Sequence, residues 1–200
     1  MSRSGPGQIW LIRHGETQWS VTGQHTGRTD LPLTQEGERR AEAIRRYFHG
    51  RPFARVLTSP LKRASETCRI AGYGGVAQVI DDLREWNYGI YEGRTTSEVR
   101  NESPGWSIWT SDVPGGETVE EVGIRARRVI DGISSQEGDV AIFGHGHMLR
   151  ILTACWLDLP PLEGRRFPFS TAALSILGYE RETRAIVRWN IESHLTEEAT

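Results

Sequence analysis

The sequence predicts a three-layer α/β/α sandwich, with helices on both faces of a mostly parallel sheet and one antiparallel edge strand. Two observations point there. Short apolar runs alternate with longer segments of helical period, as successive β-α-β units require. Two of those runs also end alike, apolar residues giving way at once to His and Gly, as strands do where they leave the core at the carboxyl edge of a parallel sheet.

The first strand, Gln8–Arg13, carries Trp10, Leu11 and Ile12 and stops at Arg13-His14-Gly15-Glu16. Alternation would send Arg13 and His14 to opposite faces, and a glycine-permitted turn is expected to aim both at one cavity. Thr34 opens a helix to His49. Its pairs Glu36/Arg40 and Glu42/Arg46, at i,i+4, mark a self-paired solvent face and not a binding patch. Ala54–Thr58 is the second strand, and Ser59-Pro60 supplies an N-cap and N1 proline for a helix to Ala71 whose first turn holds Lys62 and Arg63. Val76–Ile80 is the third strand. Thr118-Val-Glu-Glu121 has capping-box spacing for a helix ending near Gln136. Asp139–Gly144 is followed by a helix from about His147 to before Pro160, and Ala172–Gly178 pairs as a hairpin with Ala185–Trp189. One domain over residues 1–200 is expected, with short flexible ends at about 1–7 and 192–200.

Lys and Arg total 24 against 26 Asp and Glu, a net charge of −2, which gives no basic excess for a nucleic-acid partner. No membrane segment is expected: the amino terminus has no apolar run, and the apolar stretch 148–162 is broken by Arg150, Asp158 and Pro160-Pro161. Cys68 and Cys155 both lie in apolar-periodic segments and read as reduced core thiols, hence a cytoplasmic protein. Oligomeric state is open, a homodimer included.

The second strand end, Gly144-His145-Gly146-His147, lies on the same sheet edge as the first, so His14 and His145 are expected to meet. Asp81–Gly89 mixes acids with large aromatics, a setting that raises a carboxyl pKa. Two Arg, two His and one carboxyl, without an acidic cluster for Mg²⁺, suit phosphoryl transfer with neither metal nor cofactor. Guanidinium forks and a protonated imidazole would neutralise the transferred group. A neutral imidazole would attack phosphorus, and the carboxyl would serve as acid, then base. A metal site at His14, His145 and His147 lacks a nearby carboxylate at a suitable spacing.

Six segments in order resemble the histidine phosphatase superfamily, which includes the cofactor-dependent phosphoglycerate mutases: Leu11–Thr17, Thr26-Gly27 with Asp30–Thr34, Thr58–Thr67, Leu83–Gly93, Gly115–Thr118 and Gly144-His-Gly146. The resemblance implies that His14 is the phosphorylated nucleophile, that Arg13, Arg63, His145 and the Gly146 backbone hold the phosphate, and that Glu85 is the proton donor. The stretches 20–27 and 81–93 look like the branch containing fungal sedoheptulose-1,7-bisphosphatases and small bacterial broad-specificity acid phosphatases. That implies a small phosphorylated metabolite such as a sugar phosphate as partner. Ser20, His25, Thr26 and Gly27 are the substrate-side candidates. Ser20 stands where many members have Asn, and its shorter side chain would reach a phosphate only through water. Mutases carry an extra segment between acid and second histidine, and only 60 residues separate Glu85 from His145 here. A mutase-type phosphotransferase and a non-catalytic phospho-ligand module are the alternatives. Residues 101–116 are the expected specificity loop, with Trp106 and Trp109 packing it or walling the pocket, and Arg28 and Arg94 are candidates for a second cationic subsite.

Overall fold

A computed structural model describes residues 7–196. Six strands form one sheet in the order β3-β2-β4-β1-β5-β6: β1 Ile9–Arg13, β2 Arg55–Thr58, β3 Ala77–Val79, β4 Val140–Gly144, β5 Leu174–Glu180 and β6 Thr183–Ile191. The first four are parallel neighbours, while β5 runs against both β1 and β6, giving the sheet its antiparallel edge pair. Helices α1 Gln18–Thr22, α2 Gln35–Phe48, α3 Lys62–Ile70, α4 Thr96–Glu102, α5 Val119–Ile133, α6 Gly146–Trp156 and α7 Ser193–Thr196 complete the chain. None of the described helices is long and apolar enough to cross a membrane.

Strand alternation divides the core in two. Leu11, Leu57 and Ile142 face α5 and α6 on one side, while Trp10, Ile12, Val56 and Phe143 face α2 and α3 on the other. Both faces of the central strands are therefore buried, which is why β1 and β4 read as continuous apolar runs. Trp10, Phe48, Phe53 and Tyr73 interlock edge to face on the second side.

Three expectations need correction. Ser59 does not cap α3: the helix starts at Lys62, its first N–H is taken by the Asp30 carboxylate at 2.7 Å, and the Ser59 hydroxyl lies between the Leu61 N–H, ahead of the helix, and the His145 ring. β5 begins at Leu174 because Ala172 takes a left-handed φ of 58° and donates its N–H to the His14 carbonyl. Residues 193–196 form α7, with His194 buried and bonded to the Ala172 carbonyl and Leu195 packed on the core, so they are not a loose end. The expected flexible ends otherwise lie largely outside the described residues.

Candidate active site

β1 and β4 are hydrogen-bonded neighbours with Arg13 level with Gly144, so the residues that follow them leave the sheet side by side. The rings of His14 and His145 lie 5.2 Å apart. The turn after His14 needs glycine for room and not for a left-handed conformation: a Cβ on Gly15 would sit 2.5 Å from the Gly37 carbonyl oxygen. Close approach to α2 lets the Gly15 N–H donate to the buried Thr67 hydroxyl at 2.9 Å, and Thr67 in turn donates to the Arg63 carbonyl. His14 Nδ1 stands 2.7 Å from the Gly15 carbonyl oxygen. A carbonyl only accepts, so Nδ1 carries the proton and Nε2 keeps its lone pair.

Glu85 follows the one-turn segment 81–83 and enters beside α6. Its Oε1 accepts the N–H groups of Trp86 and Met148 at 2.9 Å, and its Oε2 accepts that of His147 at 3.0 Å. Two of those donors are among the free N–H groups of the first turn of α6. The segment around Glu85 is fixed from behind by Arg125, which donates to the carbonyls of Asp82 and Arg84 and pairs with Glu117 at 2.8 Å. Glu117 also accepts the Asn87 N–H.

Arg13 lies against Gly146, where a Cβ would come within 3.2 Å of its guanidinium carbon, so glycine there leaves the cation its place. It donates to the Phe169 carbonyl, and its buried Nε has no protein partner. Arg63 is fully buried and gives its donors to the carbonyls of Thr26, Gly27 and Thr29 and to His145 Nδ1 at 3.1 Å. Because a guanidinium only donates, His145 is the Nε2–H tautomer, with Nε2 2.8 Å from the Ser59 hydroxyl. The expected protonated imidazole is thus a neutral ring in this fold.

A cavity of about 200 Å³ brings together Arg13, His14, Ser20, His25, Thr26, Glu85 and Gly146. His145, Arg63 and Gly27 are not on its wall. They form a row behind it, where Gly27 donates to Glu92 and has no space for a side chain under the Trp86 carbonyl. Ser20 faces the cavity with its hydroxyl proton spent on the Thr17 carbonyl and its oxygen on the Thr17 N–H, inside the capping box of α1. A larger open depression of about 770 Å³ over α2 and α3 holds none of the candidate residues. Among the described residues no group of three or more His, Cys, Asp or Glu is placed to hold a metal ion.

Residues 9–192 match the histidine phosphatase superfamily (branch 1). The chain belongs to that family. An acid phosphatase of Mycobacterium tuberculosis is 37% identical over 94% of each chain. A sedoheptulose 1,7-bisphosphatase of Saccharomyces cerevisiae is 36% identical over 74% of this chain and 67% of its own. A solved Mycobacterium tuberculosis protein superposes with a TM-score of 0.88 at 36% identity, over 92% of this chain and 97% of the other.

Several residues of this histidine phosphatase site were not singled out from the sequence. Thr67 holds the loop after His14, Tyr88 bonds His147 at 2.6 Å on the cavity wall, and Arg150 adds a second guanidinium to it. Of these only Arg150 stood out along the chain, as a charge within an apolar run; Thr67 comes from α3, Tyr88 from the loop after Glu85 and Arg150 from α6, and the fold brings them together. The expected roles of Arg28 and Arg94 find no support in placement, since they pair with Glu117 and Glu102 away from the cavity. In the segment 101–116, Trp106 packs on His25 and Trp109 on His147, so both tryptophans back the wall instead of lining it.

Burial, and then the charge of Arg63, hold both His14 and His145 well below the usual imidazole range; burial and Arg150 do the same for His147. The unfolded chain titrates these rings near pH 6.5, so on acidification it takes up protons that the folded site refuses. Their contribution to stability is complete above that value and declines as pH falls below it. Unfolding free energy is expected to drop between pH 7 and 5, by up to about 1.4 kcal/mol per pH unit for each ring. Denaturant titration across that range checks this; a stability that stays flat or rises toward pH 5 contradicts it.

Proposed function

We propose that this histidine phosphatase hydrolyses small phosphorylated metabolites, sugar phosphates among them, through a phosphohistidine at His14 and without a metal. Phosphomonoester hydrolysis is the activity of the chain as a family member akin to acid phosphatases. The observation that carries the finer reading is the His14 ring, tautomerically fixed by Gly15, with its Nε2 lone pair free in a cavity that also holds a carboxyl and an unsatisfied guanidinium N–H. Splitting hydrolysis through a covalent intermediate replaces attack by a weak nucleophile, water, with attack by a preplaced imidazole.

In this mechanism Arg13 takes the phosphoryl oxygens together with the Gly146 backbone, and His14 Nε2 bonds to phosphorus as the ester oxygen leaves. Glu85 protonates that oxygen and then removes a proton from the water that cleaves the phosphorus–nitrogen bond. Arg63 and His145 position the site: Arg63 ties the loop 26–29 to α3, and His145 fills the space behind His14. Because His14 stays uncharged to mildly acidic pH, turnover is expected to persist there. Hydrolysis of a generic aryl phosphate should survive EDTA and be blocked by vanadate. Loss of activity on chelation, restored by a divalent metal, would overturn the metal-free reading. Label moving between positions of a substrate without release of inorganic phosphate would show a phosphotransferase instead.

A further inference from the structure

The cavity holds a second guanidinium. Arg150 lies on α6 four residues after Gly146, so it shares that helix face and lines the cavity with Arg13. Its Nε and Nη2 donate to the carbonyls of Gly164 and Arg165 at 3.1 and 2.9 Å, and its guanidinium carbon stands 4.6 Å from the centre of the Trp109 ring. These contacts fix the head group, with the ring face favouring the cation. None supplies a negative charge. Arg150 has no ion-pair partner among the described residues, whereas Arg28 and Arg94, away from the cavity, each have a carboxylate. Its Nη1 donates to no protein acceptor among the described residues. A partly buried fork held this way, with donors left over and no carboxylate in contact with it, the Glu85 charge acting only from across the cavity, is prepared for an anion.

We propose that Arg150 binds a second anionic group of the substrate, a carboxylate or a second phosphate, so that the enzyme prefers short doubly anionic phosphorylated metabolites over simple monoesters. This rests on the phosphatase reading above and adds the substrate class. Arg13 sits against Gly146, Arg150 starts one helical turn, about 6 Å, further along α6, and both side chains line the same small cavity. The second anion therefore belongs within a few bonds of the phosphate. A cavity of about 200 Å³ agrees, being smaller than the roughly 300–1,000 Å³ that suits drug-sized ligands.

The test is a ratio. kcat/KM is measured for ethyl phosphate, for phosphoglycolate, which adds a carboxylate, and for the bisphosphate of propanediol, which adds a phosphate. The wild type should favour at least one doubly anionic substrate by about tenfold or more, the scale of a charge-assisted hydrogen bond, and the favoured one names the second anion. That ratio should fall about tenfold in Arg150→Gln and in Arg150→Met, which keeps an apolar stem over Trp109, and recover partly in Arg150→Lys. A wild type without preference, or a ratio unchanged within twofold in the Gln and Met variants, overturns the proposal. Should no phosphate be released from any of the three, the phosphatase reading fails on its own. Affinities of phosphoglycolate and ethyl phosphate for His14→Ala protein, with and without Arg150→Gln, then decide: a preference lost with the arginine sustains the second-anion site, and equal affinities exclude it.

Discussion

His14→Ala is expected to lower turnover by more than about 10⁴-fold on every phosphate ester, the scale on which removal of a covalent nucleophile acts. The fold should survive the change, because the Nδ1 proton of His14 goes to the carbonyl of the next residue and no distant element depends on it. The anion site should survive as well: Arg13 is placed by Phe169 and Gly146, and the donors that reach a phosphate do not pass through the imidazole. Two measurements separate these effects. Wild-type protein quenched during turnover of a ³²P-labelled ester should carry acid-labile label, and the variant none. Inorganic phosphate should bind both within about tenfold. Label retained in the variant, or turnover above 1% of wild type, would move the nucleophile to another residue and end the account given for His14.

The parts of this site that were legible in the sequence are those in which one strand end carries the whole signal. Arg13-His14-Gly15 and Gly144-His145-Gly146 interrupt apolar runs, and parallel pairing of β1 with β4 then brings the two ends together. Glu85 was legible as an acid among aromatics, but the three N–H groups that receive it come from its own neighbour and from α6, about 60 residues on, and no local pattern records them. Ser59 shows how tertiary demand overrides local chemistry. Its sequence context is that of an N-cap, yet its hydroxyl oxygen is shared between the Leu61 N–H, one residue ahead of the helix, and a buried imidazole, and Asp30 from another loop takes the first N–H of α3 itself. Gly15 was expected for its conformational freedom and is needed for clearance from Gly37, a contact between segments more than twenty residues apart. Arg150 looked like an interruption in an apolar helix. Only the position of Trp109 and the carbonyls at 164 and 165 turns it into a cavity wall.

On an alkyl phosphate, where transfer to His14 limits the rate, Glu85→Gln should slow kcat by about 10²- to 10⁴-fold with little change in KM, the usual contribution of a positioned proton donor and acceptor. The hydrogen-bond count identifies the atom involved. Each carboxylate oxygen accepts about two hydrogen bonds; Oε1 is filled by Trp86 and Met148, while Oε2 takes only His147 and keeps one lone pair. A proton carried on Oε2 can therefore be given to the leaving oxygen and recovered from water without breaking the clamp. Glutamine keeps the Oε1 bonds but turns an NH₂ group toward the His147 N–H, so it can neither carry that proton nor accept one. A purely structural disturbance of α6 would slow all substrates alike. Loss of the acid will not: an aryl ester with an acidic leaving group needs little protonation, an alkyl ester much. The variant should thus lose far more on ethyl phosphate than on an aryl phosphate. On the aryl ester it should release a burst of phenol equal to the enzyme present, followed by slow turnover, because hydrolysis of the phosphohistidine still lacks its base. Equal losses on both esters, with no burst, would remove Glu85 from the chemistry and leave it as a peg for the amino terminus of α6.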